Sequence, residues 1–186
     1  MKSKKTLPTL DSRRLRLRQL QLSDIEDLFA IFSDEQTMRY WSHAPFKQAA
    51  EAEAYLRNIN AGRINGTHLQ WGVALRENDK VIGTTTLFSL NPKHRRAEIG
   101  YALSSAYWRN GFGREALTTV IAYALDSLDF QRIEADIDPR NVASCRLVES
   151  LGFQLEGRLR ERWHVEGEIQ DSAIYGLLAR EFSAER

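Results

Sequence analysis

Apolar and charged residues alternate strictly near the start of the chain. Leu15 and Leu17 sit between Arg14, Arg16 and Arg18, the pattern of a half-buried strand. Ser23-Asp24-Ile25-Glu26 reads as a capping box. Behind it Ile25, Leu28, Phe29 and Phe32 recur at helical spacing and predict a first helix. A second helix is predicted from near Gln48 to Asn60, with Gly62 just past its end. The aromatic stretch between them, Tyr40-Trp41-Ser-His43-Ala-Pro45-Phe46, has no period and reads as a loop. Trp71–Leu75 and Val81–Phe88 predict strands around the polar turn Glu77–Lys80, and Ala97–Leu103 predicts another after Asn91-Pro92. From Gly113 a helix shows the stripe Leu117, Val120, Ile121, Ala124, Leu125 and Leu128. Arg132–Ile137 is a short strand, Asn141 caps a helix closed by Gly152, and two last strands flank Glu166-Gly167. The order is β-α-α-β-β-β-α-β-α-β-β, a mixed α/β domain.

Composition narrows the class. The chain has 186 residues, 42% hydrophobic and 27% charged, which suits one folded domain over residues 13–186 behind a basic tail at 1–12. A single cysteine, Cys145, excludes an internal disulfide. No apolar run approaches the roughly 20 residues of a membrane helix, and no apolar core follows the basic start, so a cytoplasmic protein without a membrane partner is expected. The net charge of +1 disfavours nucleic acid as the main partner. Residues 1–20 nevertheless carry seven basic side chains against Asp11, so an RNA or acidic anchor competes there with a solvated arginine face. Arg158, Arg160, Arg162 and His164 are likewise expected to share one strand face. The four histidines show no metal-ligand spacing.

Chemistry concentrates where the strand ending at Leu103 passes through Ser104–Asn110 into Gly111-Phe112-Gly113-Arg114. Glycines let backbone amides approach a ligand, and a helix N-terminus favours an anion such as a pyrophosphate. Arg109 and Arg114 add charge-assisted donors. The stretch also matches the dinucleotide fingerprint, with Glu134 about 20 residues on. A long loop before Gly111, antiparallel strands upstream and too little chain downstream argue against NAD.

The same residues resemble the GNAT superfamily of acyl-CoA-dependent N-acetyltransferases, whose phosphate loop reads Gln/Arg-x-x-Gly-x-Gly/Ala. Here Gly111 and Gly113 match and Trp108 departs from the first position. Arg14–Arg18 before Ser23-Asp24, Met38-Arg39-Tyr40, Tyr107-Trp108, and Asn141-x-x-Ser144 running to Glu149-Ser-Leu-Gly-Phe153 resemble the branch of ribosomal-protein N-terminal acetyltransferases. The resemblance covers nearly the whole chain in order. It implies a central, mostly antiparallel mixed sheet of six or seven strands flanked by about four helices.

It also implies roles. Acetyl-CoA is the co-substrate, its pantetheine arm lying along the strand at Ala102 and Leu103, with the Leu103 N–H on the thioester carbonyl. The backbone of Trp108, Arg109, Asn110, Gly111, Phe112, Gly113 and Arg114 takes the pyrophosphate. Asn141 bonds the arm, caps the helix, or does both, and Ser144 lies near the sulfur. An amine must lose a proton before it attacks, and Glu98, beside the arm, is the candidate base; its other reading is a cross-strand partner of Arg95 or Arg132. Ser144 or Tyr175 is the candidate acid, with Tyr175 also readable as a core aromatic.

Tyr40, Trp41, Phe46 and Trp71 lie in or near segments that, by the resemblance, wall the acceptor groove, and an aromatic wall suits the N-terminal amine of a protein, such as a ribosomal one, and equally a hydrophobic small amine or antibiotic. A non-catalytic acyl-CoA-binding module and a nucleic-acid adaptor are the rival classes. The chain is expected as a monomer or homodimer.

Overall fold

The computed structural model describes residues 7–183. β1 (Leu10–Asp11) pairs with β2 (Leu15–Arg18), in which Leu15 and Leu17 are fully buried, as their alternation predicts. Residues 1–6 of the expected tail lie outside the described residues. The rest of it, 7–12, is no tail: Leu7 is buried, and Pro8 O accepts the indole N–H of Trp71 at 2.8 Å. The expected capping box is also corrected. The buried Asp24 carboxylate, held by Arg18 at 2.7 Å, accepts from the Gln21 amide at 2.7 Å. An inward-facing ion pair therefore decides the turn, and α1 (Ile25–Phe32) follows a 3-10 turn at Leu22–Asp24.

α2 (Glu35–Met38) is capped by Asp34, which accepts from the Gln36 and Thr37 amides. α3 (Ala49–Asn65) runs through Gly62 and closes at Gly66, whose φ of 72° is the left-handed cap. Gly62 is needed inside the helix for another reason: a Cβ there would lie 1.8 Å from the His68 ring.

The remaining elements are β3 (Leu69–Leu75), β4 (Val81–Asn91), β5 (Arg96–Leu103), α4 (Phe112–Asp126), β6 (Arg132–Ile137), α5 (Val142–Ser150), β7 (Gln154–Val165) and β8 (Glu168–Leu178). All strands join one sheet in the order β1-β2-β3-β4-β5-β6-β8-β7, antiparallel except for β5 and β6. Among the described residues there are thus eight strands and five α-helices. β1 and α2, with two and four residues, are too short to register as periods and account for the excess over the expected count. In β7 the register slips between Leu159 and Trp163, and Glu161 has φ 55°. This bulge breaks the expected basic stripe, because the alternation of Arg158, Arg160, Arg162 and His164 does not survive it.

Two apolar layers sandwich the sheet. One face carries Leu15, Leu17, Trp71, Val73, Ala97 and Ile99 against α4 and α5. The opposite face carries Ala74, Val81 and Ala102 against Leu28, Ile31 and Phe32 of α1 and Leu56 and Ile59 of α3. No helix among the described residues is long and apolar enough to cross a membrane.

Candidate active site

The parallel pair β5–β6 is registered only over Arg96–Glu98 against Arg132–Glu134. Arg96 and Arg132 both reach Glu134, at 2.8 and 2.7 Å, and tie that end together. Beyond it the strands part, and Ile99–Leu103 pair only with β4. The Ser104 amide donates to Ile82 O at 2.9 Å, so alternation turns the Tyr101 and Leu103 peptide groups toward the bare edge. The Leu103 carbonyl there is taken by the Trp108 indole N–H at 2.7 Å. Trp108, the departure from the loop pattern, is therefore a brace, and the Leu103 N–H beside it faces open space. Ala102 spends its backbone on β4 and presents its side chain. Between the parted strands lies a cavity of about 760 Å³, lined by Ala102, Leu103, Trp108, Arg109, Gly111, Gly113, Arg114, Asn141 and Ser144 among others. Asn110 and Phe112 support the loop rather than line it.

The loop is held in a conformation it would not adopt alone. Arg109 has φ 61° and Gly111 φ 78°; left-handed backbone costs a non-glycine residue about 1 kcal/mol or more. Gly111 is the N-cap of α4 without a side-chain cap, so the first-turn amides remain available to an anion. Support comes from Arg14, to which the sequence assigned no role at this loop. Arg14 donates to Asn110 O at 2.9 Å and to Glu115 at 2.7 Å, and its guanidinium lies 4.4 Å from the Phe112 ring centroid. Burial alone would raise the Glu115 carboxyl, but the Arg14 amide, the Ser12 hydroxyl and the Arg14 guanidinium outweigh it and hold it below its ordinary range.

At the opposite wall Asn141 caps α5, its side-chain oxygen accepting from the Ser144 amide at 3.1 Å. The Ser144 hydroxyl meets the Tyr101 hydroxyl at 2.5 Å. Tyr101 is the group the sequence reading missed, although two-residue alternation from Leu103 already puts it on the cavity side. Burial pushes its phenol above the ordinary value, against the bond from Ser144, so it stays protonated. Tyr175 is placed otherwise: it is buried in the core and donates to Glu149 at 3.1 Å. Glu98 does not line the cavity. It sits where β5 is paired on both sides, opposite Phe88 and Glu134, on the strand face that also carries Ala102. Nor is it the partner of Arg95 or Arg132, which bind Asp129 and Glu134 with Glu156.

The remaining wall comes from α2 and the loop after it. Thr37 Oγ1 donates to Asp34 at 2.7 Å and accepts from the Ser105 amide at 3.0 Å, fastening this segment to the end of β5. Tyr40 and Trp41 line the cavity as expected. Phe46 stands behind them, 5.3 Å from Phe32 between ring centroids. Trp71 is fully buried in the sheet core and is not part of the groove. Arg39 and Arg140 also line the cavity, 5.3 and 5.9 Å from the Tyr40 ring centroid. Among the described residues, no aspartate or glutamate lines it. No cluster of metal-ligating side chains occurs among the described residues.

A bare strand edge suits an extended amide-bearing arm, and a glycine-capped helix start with Arg109 and Arg114 suits a diphosphate; both are parts of an acyl-CoA. Comparison with known proteins agrees. Residues 14–154 match the family model of the acetyltransferase (GNAT) domain. The chain is 35% identical over 177 residues to the uncharacterized N-acetyltransferase p20 of Bacillus licheniformis, covering 95% of this chain and 99% of that one. The structure of a candidate ribosomal-protein-serine acetyltransferase from Vibrio cholerae superposes with a TM-score of 0.82 at 25% identity, over 96% and 99% of the two chains. A spermidine N-acetyltransferase from Vibrio cholerae, solved with CoA and spermine, shares the fold with a TM-score of 0.79 at 24% identity, over 90% and 97%. From the parted strands, the glycine-capped loop and this agreement over most of the chain, the protein belongs to the GNAT family of acetyl-CoA-dependent N-acetyltransferases.

Proposed function

We propose that this chain acetylates the N-terminal amine of a protein. The observation that carries the reading is the acceptor wall: Tyr40 and Trp41 offer aromatic surface, and among the described residues no carboxylate lines the cavity. A polyamine brings several positive charges and calls for carboxylates around it. A single α-amine, with an ordinary pKa of about 8, does not.

Acetyl-CoA, when bound, supplies an activated acetyl thioester. The Leu103 N–H is the donor for an oxygen that gains negative charge in the transition state. Gly111–Arg114 amides, with Arg109 and Arg114, hold the diphosphate, and Asn141 orients the arm while capping α5. The Ser144 hydroxyl, braced by Tyr101 at 2.5 Å, holds the proton for the departing thiol. Glu98, on the Ala102 face of β5, takes the amine's proton through intervening water.

The test is acetyl transfer from acetyl-CoA to synthetic peptides, followed by mass spectrometry, with small amines in parallel. Glu98→Gln and Ser144→Ala are each expected to lower kcat by about 100-fold, the low end of the usual range for a positioned proton-transfer group. Full kcat in Glu98→Gln removes the base assignment. Turnover of small amines alone makes this a small-molecule acetyltransferase. Tight acetyl-CoA binding with no amine acetylated makes it a non-catalytic acyl-CoA-binding module.

Arg14 contributes to the same reading from outside the cavity. Arg14→Ala is expected to raise the KM for acetyl-CoA by roughly 3- to 10-fold with kcat little changed, since an intramolecular hydrogen bond is worth about 0.5–1.5 kcal/mol net. An unchanged KM shows that the loop holds its shape without the brace.

A further inference from the structure

The charge of the acceptor wall says more about the substrate than its aromatic character does. Arg140 lines the cavity, but its guanidinium is already committed: it donates to both Asp138 oxygens, at 3.0 Å and 2.6 Å, and to Glu168. Those hydrogen bonds push its pKa above the ordinary guanidinium value, and two carboxylates balance its single charge. Arg109 and Arg114 stand at the loop that takes the diphosphate. Arg39 is different. It is exposed, it lines the cavity beside Tyr40, and among the described residues it has no carboxylate partner. α2 places it there: Arg39 is the C-cap residue of that helix, with φ −50°, and Gln36 of the helix and Tyr40 just after it line the cavity on either side of Arg39 in sequence. Among the described residues, then, a positive charge without a carboxylate partner borders the cavity on the side of Tyr40.

We infer that the acceptor is an α-amine carrying a carboxylate close to it, such as an N-terminus with aspartate or glutamate at its second or third residue, and that Arg39 binds this carboxylate. The inference rests on the acetyl-transfer reading and narrows its substrate class. Two effects point the same way. The guanidinium attracts the carboxylate, in a geometry suited to a planar anion. Left without a carboxylate, it also disfavours an ammonium group nearby, which works against acceptors that bring only positive charge. Polyamines, with higher pKa values and no anion, suffer the second effect without gaining the first. The Tyr40 ring backs the arrangement, because cation–π contact restrains Arg39 toward the cavity.

The experiment compares kcat/KM of the full chain for matched peptides Ser-Asp-Ala-Ala, Ser-Ala-Ala-Ala and Ser-Lys-Ala-Ala, all amidated at the C-terminus, together with free serine and spermidine, by release of the CoA thiol. Acetyl-CoA affinity is measured separately by calorimetry. The aspartyl peptide is expected to exceed the lysyl peptide by about fivefold or more, as a partly exposed ion pair allows. Arg39→Glu is expected to reverse that order and Arg39→Lys to retain it, both with wild-type acetyl-CoA affinity. Free serine exceeding all peptides moves the same chemistry to a free amino acid. The inference is overturned if the lysyl peptide or spermidine equals the aspartyl peptide, or if the preference survives Arg39→Glu. Acetyl-CoA binding without turnover of any acceptor also overturns it. Loss of acetyl-CoA binding itself, seen only by calorimetry, is instead a failure of the transferase reading.

Discussion

Gly111→Trp is expected to weaken acetyl-CoA binding by at least 100-fold, about 2.7 kcal/mol, while the protein stays folded. Three consequences of the substitution add. Residue 111 has φ 78°, which costs any residue with a Cβ about 1 kcal/mol. An indole at a lining position fills space that the ligand requires. A Cβ at 111 also lies 3.4 Å from the Arg14 guanidinium, so the larger side chain disturbs the brace on Asn110. Gly111→Ala isolates the backbone share, expected as roughly a fivefold loss. Calorimetric titration of acetyl-CoA, with circular dichroism as the check on folding, decides between them. Affinity within threefold of wild type in Gly111→Trp places the cofactor somewhere other than this loop.

Phe32→Ala is expected to have the largest effect on stability. Phe32 is fully buried and is the hub of an aromatic cluster, with ring centroids of Tyr55, Phe46 and Trp41 at 4.7, 5.3 and 5.6 Å. Removing a buried phenyl group typically costs about 3–5 kcal/mol through lost transfer energy and the cavity left behind. In a domain of this size that lowers Tm by roughly 6–20 °C. Trp41 touches Phe32 and lines the acceptor wall, so KM for the amine should rise more than KM for acetyl-CoA. Differential scanning calorimetry and steady-state kinetics of one variant check both halves. A drop in Tm below 3 °C means the cluster repacks, and equal changes in the two KM values mean it does not support the acceptor wall selectively.

The local patterns were legible wherever they ran for several residues. Alternation in Leu15-Arg16-Leu17 and in Arg132–Ile137, the stripe of α4, the Asn141 cap and the Glu166-Gly167 turn all depend on neighbours in sequence, and each is found as read. The glycine-capped loop was legible for the same reason: glycines and a helix start lie within a few residues. Where the reading failed, a distant partner had intervened. Gly62 looked like a helix stop, but the helix continues to its left-handed cap at Gly66, and Gly62 is there because the His68 ring leaves no room for a Cβ. Ser23 and Glu26 looked like a capping box, but Arg18 recruits Asp24 into the turn. Trp71 looked like groove wall and is core. The basic stripe of β7 looked continuous until a bulge shifted its register.

The candidate site divides along the same line. Sequence by itself determined the family resemblance, the loop that suits a diphosphate, and Asn141 and Ser144 in one helical turn. Only the tertiary structure decided that β5 and β6 part after Glu98 and so leave the Leu103 amide bare. It also decided that Tyr101 meets Ser144, that Arg14 braces the loop, and that Arg39 borders the cavity without a carboxylate partner among the described residues while Glu98 stays outside it. The physical reason is range. Backbone conformation and capping are set within a few residues, whereas a strand edge left unpaired, or a charge left unbalanced, is defined by what the rest of the chain does not bring beside it.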